Sequence, residues 1–482
     1  MYIVMVSPEC APVAKVGGLA DVCASLTPQL VERGHDVRIF LPFYEPLLNR
    51  GLELEPVLEA QQVPLPLAGR YFTFNVFETE QSGVPLYLVQ CAPLFERGDA
   101  VYTMHADEPL RWVFFCRAVL ETLQRMVWAP DLLHLHDWPT ALMPVLLKTV
   151  YAWDQLFART RTVFTIHNLG YQGVFGTEVL EQIELAHAPQ YFDPGDLAAG
   201  RINFLKTGLT HSDRLSTVSP SYAEEIQTPL HGHGLDGLLR ERAADLRGIL
   251  NGIDESEWGA EADRSVPVRY GAGSLWRKRH DRHALLARTG LSIPDGVPVL
   301  GIVSRLAEQK GFDLLPAVLE SVLEERDVAL VVLGSGEAHI EHFFRDLAER
   351  RSDRVAFSLG YDEALSHLIE AGSDLFLMPS HYEPCGLNQM YSQRYGTLPV
   401  VHRTGGLRDT VEPYDERTGQ GTGFAFAPAT VEALSASLGQ ALDVFENRPV
   451  WESMMRQAMS RHFGWGDRAA DYGLMYREAT AD

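Results

Sequence analysis

Short apolar runs recur along this chain, with helix-length amphipathic stretches between several of them, and that alternation leaves few folds open. The first series is "YIVMV" (2–6), "VRIFL" (37–41), "LYLV" (86–89), "LLHLH" (132–136), "TVFTI" (162–166) and "RLSTVS" (214–219), with helices expected over 109–126 and 201–212. Short apolar runs bounded by turn signals are what strands buried on both faces look like. Strands alternating with helices imply βαβ units around a parallel sheet. A second series follows: "GIL" (248–250), "VLGIVS" (299–304), "ALVVLG" (329–334), "VAFSLG" (355–360), "DLFLM" (374–378) and "PVVH" (399–402), with helices expected over 311–325 and 362–372. A chain of 482 residues is too long for one core. Two Rossmann-like α/β domains are therefore expected, over 1–243 and 244–457, with the junction inside 239–254 and a helical tail over 458–482. In open sheets of this kind ligands sit beyond the C-terminal strand ends. The cleft between two such domains is the default site.

Charge narrows the ligand classes. The chain holds 41 Lys and Arg against 64 Asp and Glu, a net charge of −23. Such a body repels polyanions, which argues against nucleic acid and anionic membrane surfaces as partners. A phosphate-bearing ligand must then be held by a local cluster of cations and backbone N–H donors. The five cysteines show no metal-type spacing, which suits a reducing cytoplasm and argues against a disulfide scaffold or a zinc site. "MYIVMVSP" enters a strand directly, with no export, organelle or membrane signal, so a cytoplasmic location is expected.

Unusual clusters sit where these strands end. "KVGGLADV" (15–22) places Lys15 before Gly17 and Gly18, which let backbone approach a ligand and open a helix toward an anion. It reads equally as a plain strand-to-helix turn. "HLHDW" (134–138) and "TIHNLGYQG" (165–173) each end a strand in His or Asp; Asp137 alone reads as a helix cap and His167 alone as a satisfied core imidazole. In "SRLAEQKGFDLL" (304–315), Arg305 offers a bidentate fork and Lys310 a compact charge for one diphosphate. "HYEPCGLNQ" (381–389) displays Glu383 among turn residues, and "HRTGGL" (402–407) repeats the strand–glycine–helix device. Taken together, the clusters point to a ligand with a diphosphate and a polar, uncharged group.

"KVGGLADV", "HDW", "HNLGYQG", "VSPSYAEEI", "LNGID", "SRLAEQKGFDLL", "PSHYEPCGLNQMYSQRYGTLPVV" and "RTGGLRDTV" resemble, in order, the motifs of bacterial glycogen synthases and plant starch synthases. The resemblance runs from about residue 3 to 466. It implies the GT-B fold, two Rossmann-like domains facing a central cleft, with the C-terminal helix crossing back to the N-terminal domain. It implies transfer of glucose from ADP-glucose to the non-reducing 4-OH of an α-1,4-glucan with retention, and no metal or organic cofactor. By position, Lys15, Arg305 and Lys310 hold the diphosphate, with Gly17, Gly18, Thr404, Gly405 and Gly406 lining the same pocket. Asp137, His167 and Asn168 flank the donor glucose, and Asn251 sits near the reacting end. Tyr361 stacks on the base. Glu383 contacts the transferred glucose, with Cys385, Gly386 and Leu387 beside it.

The chain departs from the family pattern in four places. Val16 stands where Thr is usual, Pro139 where His follows "HDW", and "LFERGDAVY" (94–102) replaces a Gly-Asn-Pro-Tyr loop near Tyr102. The Glu-x7-Glu pair of related transferases is incomplete, since its second position is Tyr391, so Glu383 alone carries the acid's role. Three competing readings are weaker. A sugar-phosphate or sucrose-type synthase on the same fold demands a cationic acceptor pocket, and the N-terminal half has no extra basic cluster. A sugar-binding protein would need an export signal. A glucan phosphorylase requires a Schiff-base lysine and a much longer chain.

Overall fold

The computed structural model describes residues 1–98, 100–103 and 105–481. Asp99, within the 94–102 segment, and Asp482, in the expected tail, lie outside the described residues. The chain separates into two compact units, one of 1–218, 223–252 and 465–482, the other of 219–222 and 253–464.

In the first unit the central strands run parallel in the order Leu246–Gly248, Arg214–Thr217, Arg161–Ile166, Leu132–His136, Tyr2–Val6, Asp36–Pro42, Val84–Gln90. Ile3, Val4, Leu133, Phe164 and Ile39 are fully buried, as the continuous apolar runs require. The "GIL" run, expected to open the second series, is not a strand of its own: only Gly248 is in one, at the end of Leu246–Gly248, which pairs in parallel with Arg214–Thr217 and closes this sheet. A short apolar run carries no mark of which sheet it joins.

The other edge of this sheet is antiparallel, an arrangement that βαβ units do not give. Arg70–Gln81 pairs with Val84–Gln90 on one side and Val63–Leu67 on the other. Each hairpin closes on a two-residue turn, Ser82–Gly83 and Ala68–Gly69, with all four φ between 51° and 78°. Positive φ at both positions is the turn geometry that matches strand twist, and glycine takes it without strain. The helix expected over 109–126 spans Glu108–Arg125. Residues 201–212, expected as one helix, divide into the strand Arg201–Asn203 and the helix Phe204–His211, where Asn203 accepts the Lys206 N–H as a side-chain cap.

The second unit has six parallel strands among the described residues, in the order Val355–Leu359, Ala329–Gly336, Val299–Leu306, Leu375–Met378, Leu398–His402, Phe424–Phe426. Alternate residues serve opposite faces. Leu300, Ile302, Leu330 and Val332 pack with Leu315, Phe344 and Trp451, whereas Val299, Val331 and Leu333 pack with Leu285, Leu286 and Ile369. Each fully buried Leu, Val or Phe contributes about 1.5–3 kcal/mol. The tail divides: helix Arg448–Met459 buries Trp451 in the second unit, and helix Trp465–Ala481 belongs to the first.

Candidate active site

In the first unit, the loop after strand Tyr2–Val6 is organised by Glu9. Its Oε2 accepts the N–H groups of Val16 and Gly17 at 2.6 and 2.9 Å, and its Oε1 accepts the Tyr102 hydroxyl at 2.7 Å. Glu9 is 3% exposed, and burial raises its carboxyl above the usual range despite those three hydrogen bonds. Lys15 projects from this loop with Nζ 2.7 Å from Asp21 Oδ1. Gly17 precedes helix Gly18–Glu32 in extended backbone and Gly18 opens it. Sequence reasoning missed Glu9, because one carboxylate in "SPECAP" reads as a loop charge; its partners come from positions 16, 17 and 102.

Asp137 and His167 meet at the ends of adjacent parallel strands. Asp137 Oδ1 accepts the His167 N–H at 2.7 Å, and the side chain caps no helix, which removes the capping alternative. Its backbone takes φ 57° and ψ −177°. A residue with a side chain occupies that region at a cost of about 1–3 kcal/mol, and such strain clusters at functional sites. Desolvation lifts the Asp137 carboxyl to about 7, opposed by N–H donors from His167 and Asn168 and reinforced by Glu9. His167 Nε2 lies 2.9 Å from His136 Nδ1, and burial holds its imidazole down at about 3. Asn168 turns its Oδ1 to the Gly170 N–H at 3.0 Å. Asn251 is 4% exposed, and its buried Oδ1 has no partner among the described residues. An orphaned buried acceptor costs about 1–3 kcal/mol, which a ligand hydroxyl or a water would relieve. Pro139 is buried in the turn Trp138–Thr140, its carbonyl accepting the Cys116 thiol at 3.5 Å.

In the second unit the chemistry gathers around Glu383, which follows strand Leu375–Met378 and is 5% exposed. Its Oε2 is 2.6 Å from Lys310 Nζ and accepts the Ser380 hydroxyl at 3.0 Å. The glycine pair fixes this loop by close approach. A Cβ on Gly405 would fall 2.0 Å from the Glu383 carbonyl oxygen, and one on Gly406 2.1 Å from that of Cys385. The Gly406 N–H, expected to face the donor, donates instead to the Glu383 and Pro384 carbonyls at 3.1 and 3.2 Å. Cys385 is 4% exposed, and the Gly386 carbonyl accepts Gln389 Nε2 at 3.0 Å. Leu387 and Thr404 precede helices Asn388–Arg394 and Gly405–Thr410. Arg305 is the penultimate residue of the neighbouring strand Val299–Leu306, exposed and without an ion pair among the described residues. Tyr361 follows the edge strand Val355–Leu359, 65% exposed, and two strands separate it from the Glu383 strand.

Two groups of His and Glu place ligand-type atoms within 4.8 Å of one another among the described residues: Glu257 with Glu363 and His367, and the exposed Glu308, Glu337 and His339. Neither includes Asp137, His167 or Glu383. No helix among the described residues is long and apolar enough to cross a membrane.

Residues 2–241 match the family described as "Starch synthase catalytic domain", and 286–456 match "Glycosyl transferases group 1". Glycogen synthases of Koribacter versatilis and Moorella thermoacetica are 42% and 41% identical to the chain, covering 99% of it and 98% and 97% of their own lengths. That of Anaeromyxobacter dehalogenans is 43% identical, with 99% of each chain covered. Among solved structures, the catalytic domain of Starch Synthase IV from Arabidopsis thaliana, bound to ADP and acarbose, superposes with a TM-score of 0.93 at 34% identity, over 100% of this chain and 99% of that one. Sucrose-phosphate synthase from Thermosynechococcus elongatus has a TM-score of 0.64 at 18% identity, over 99% of each chain, which shows a shared fold alone.

Proposed function

Because the chain belongs to the glycogen and starch synthase family, a family of GT-B glycosyltransferases, we infer that it transfers glucose from ADP-glucose to the non-reducing 4-OH of an α-1,4-glucan, with retention, in the cytoplasm. The observation that carries this reading is the near end-to-end match to glycogen synthases, 42% identical over 99% of the chain. ADP and acarbose, bound by the starch synthase neighbour, are respectively a product of such a transfer and a glucan-like oligosaccharide.

The residue roles in this reading are supported by the burial and pairing of each side chain. In this reading Lys15, just ahead of helix Gly18–Glu32, and Arg305, near the end of strand Val299–Leu306, are cations available to a diphosphate, and Lys310 is the cation paired with Glu383. Positive charge builds on the glucosyl ring as the bond to phosphate breaks, and a fixed carboxylate in a dry site stabilises it. Glu383 is that carboxylate: it is buried and charge-paired, and the backbone of its loop packs directly against Gly405 and Gly406. The departing phosphate oxygen takes the acceptor's proton, so retention requires no second acid at Tyr391. Asp137 and His167 hold the hydroxyls of the donor sugar, Asn168 and Asn251 flank it, and Tyr361 stacks on the base. The diphosphate is neutralised by side chains and backbone donors, with no metal.

The test is incorporation of labelled glucose from ADP-glucose and UDP-glucose, with and without glycogen. Glycogen-dependent incorporation from ADP-glucose is the expected result. Preference for UDP-glucose would overturn the donor assignment, and incorporation independent of glucan would overturn the acceptor.

A further inference from the structure

Three imidazoles lie in series behind the site of the first unit. His134 and His136 project from one face of strand Leu132–His136, their ring centroids 4.2 Å apart, and both are fully buried. The His167 ring follows at 5.2 Å, with its Nε2 2.9 Å from His136 Nδ1. His134 is pinned at both nitrogens, by Tyr476 Oη at 2.8 Å on Nδ1 and by Thr165 Oγ1 at 2.6 Å on Nε2. Thr165 is held in turn by Ser216 Oγ at 2.6 Å. His136 Nε2 is buried and has no hydrogen-bond partner among the described residues.

That last atom decides where the protons sit. A neutral imidazole carries one N–H. Burial keeps His134 and His167 at about 3 and His136 well below the ordinary imidazole value, so all three are neutral at pH 7. The contact between His136 Nδ1 and His167 Nε2 needs one proton and one lone pair. Were the proton on His167, His136 would carry its own N–H at Nε2, buried with no acceptor. Among backbone groups orphaned buried N–H donors are rarer than under-satisfied carbonyls, and a buried imidazole N–H left without an acceptor carries the same kind of desolvation cost. His136 Nδ1–H therefore donates, and His167 is protonated at Nδ1, which makes no hydrogen bond among the described residues.

We propose that His136 is a positioning residue: it locks His167 in the Nδ1–H tautomer, so that His167 presents a neutral donor, rather than an acceptor, to a hydroxyl oxygen of the bound sugar. This rests on the reading that His167 faces the donor glucose. A neutral N–H holds that hydroxyl without placing positive charge beside a ring that becomes cationic.

The experiment uses the full chain labelled with 15N-histidine and read without substrate by long-range 1H–15N correlation, with His167 assigned by its loss in His167→Asn. The wild type is expected to show the Nδ1–H pattern, and His136→Leu a mixed or Nε2–H pattern. His136→Asn, whose amide nitrogen stands in for Nδ1, is expected to restore it. In the same series kcat should fall at least tenfold in His136→Leu with donor KM within threefold, and recover most of the loss in His136→Asn. A wild-type Nε2–H pattern, or one unchanged in His136→Leu, would overturn the proposal. Full activity in His167→Asn would overturn the site reading instead, leaving the tautomer result intact.

Discussion

Replacing Glu383 by Gln isolates charge from shape. The carboxylate Oε2 sits 2.6 Å from Lys310 Nζ, with side-chain exposures of 7% for Glu383 and 20% for Lys310. At an effective dielectric of ~20, unit charges at that distance attract by about 6 kcal/mol gross, most of it offset by desolvation of both ions. Gln keeps the volume and an oxygen for the Ser380 hydroxyl. Lys310 is one-fifth exposed and can turn toward water, so the folding cost should be about 1–2 kcal/mol, below the 3–5 typical of a fully buried pair. Catalysis should suffer more. Losing one preorganised electrostatic stabiliser lowers kcat about 10²–10³-fold, or roughly 2.7–4 kcal/mol. Donor KM should stay level or fall, since Lys310 is released to the diphosphate. Initial rates of labelled glucose incorporation at saturating glycogen, with denaturation curves alongside, separate the two effects. Cys385→Ser should keep most activity, because a neutral thiol offers a weak donor and no charge. Near-normal kcat in Glu383→Gln together with a dead Cys385→Ser would refute the argument.

Acid stability follows from His134, whose folded value of about 3 lies below the unfolded 6.5. Its contribution is complete above pH ~6.5 and lost as pH falls toward ~3, so His134→Asn should flatten that limb in denaturation at stepped pH. Asp137, raised to about 7, acts oppositely, and Asp137→Asn should steepen the same limb; identical slopes in all three proteins would contradict the linkage. Lys278, 7% exposed, donates to the Ala371 carbonyl and to Thr397 Oγ1, both at 2.7 Å. Lys278→Met removes both hydrogen bonds, though the Ala371 carbonyl keeps the Tyr270 hydroxyl at 3.3 Å, and should cost about 1–3 kcal/mol by urea midpoint. Gly406→Ala forces a Cβ against Cys385 and should lower kcat at least tenfold, whereas Gly439→Ala, with open space in helix Val431–Glu446, should stabilise by about 0.5–1 kcal/mol.

What was legible in the sequence follows from how local its cause is. The strands Val299–Leu306 and Leu375–Met378 announce themselves because burial on both faces leaves an apolar run. Lys310 and Glu383 were found separately, as odd charges at strand ends, and the fold brings them to 2.6 Å. Their contact was not readable, since it depends on strands pairing across more than seventy residues. Arg70–Gln81 was missed because its burial alternates along an edge hairpin, although "AGR" and "QSGV" carried the turn signal. Glu9 acts through a loop that closes on it and through Tyr102, and His136 through His167 on the next strand, so their types alone could not separate them from ordinary loop and core residues. The Gly405–Gly406 pair stands out in the sequence, but its close packing against the backbone of 383–385 and the Gly406 N–H bonds to the Glu383 and Pro384 carbonyls depend on the fold and are not readable from it.

Helix Trp465–Ala481 buries Tyr472, Met475 and Tyr476 within the first unit and ties Glu478 to Arg247 at 2.6 Å. During synthesis the rest of that unit has left the ribosome once Gly252 emerges. The whole second unit must then be translated before the closing helix exists, a gap of roughly 230 residues, or about 10–50 s at ~5–20 residues per second. Throughout that interval the groove that receives Tyr476 lies open and His134 lacks its tyrosine partner. The second unit, made later from a nearly continuous segment, can complete its core first. The first unit is thus the last to be finished, and the surface that Tyr476 covers is the last part of its core to leave water.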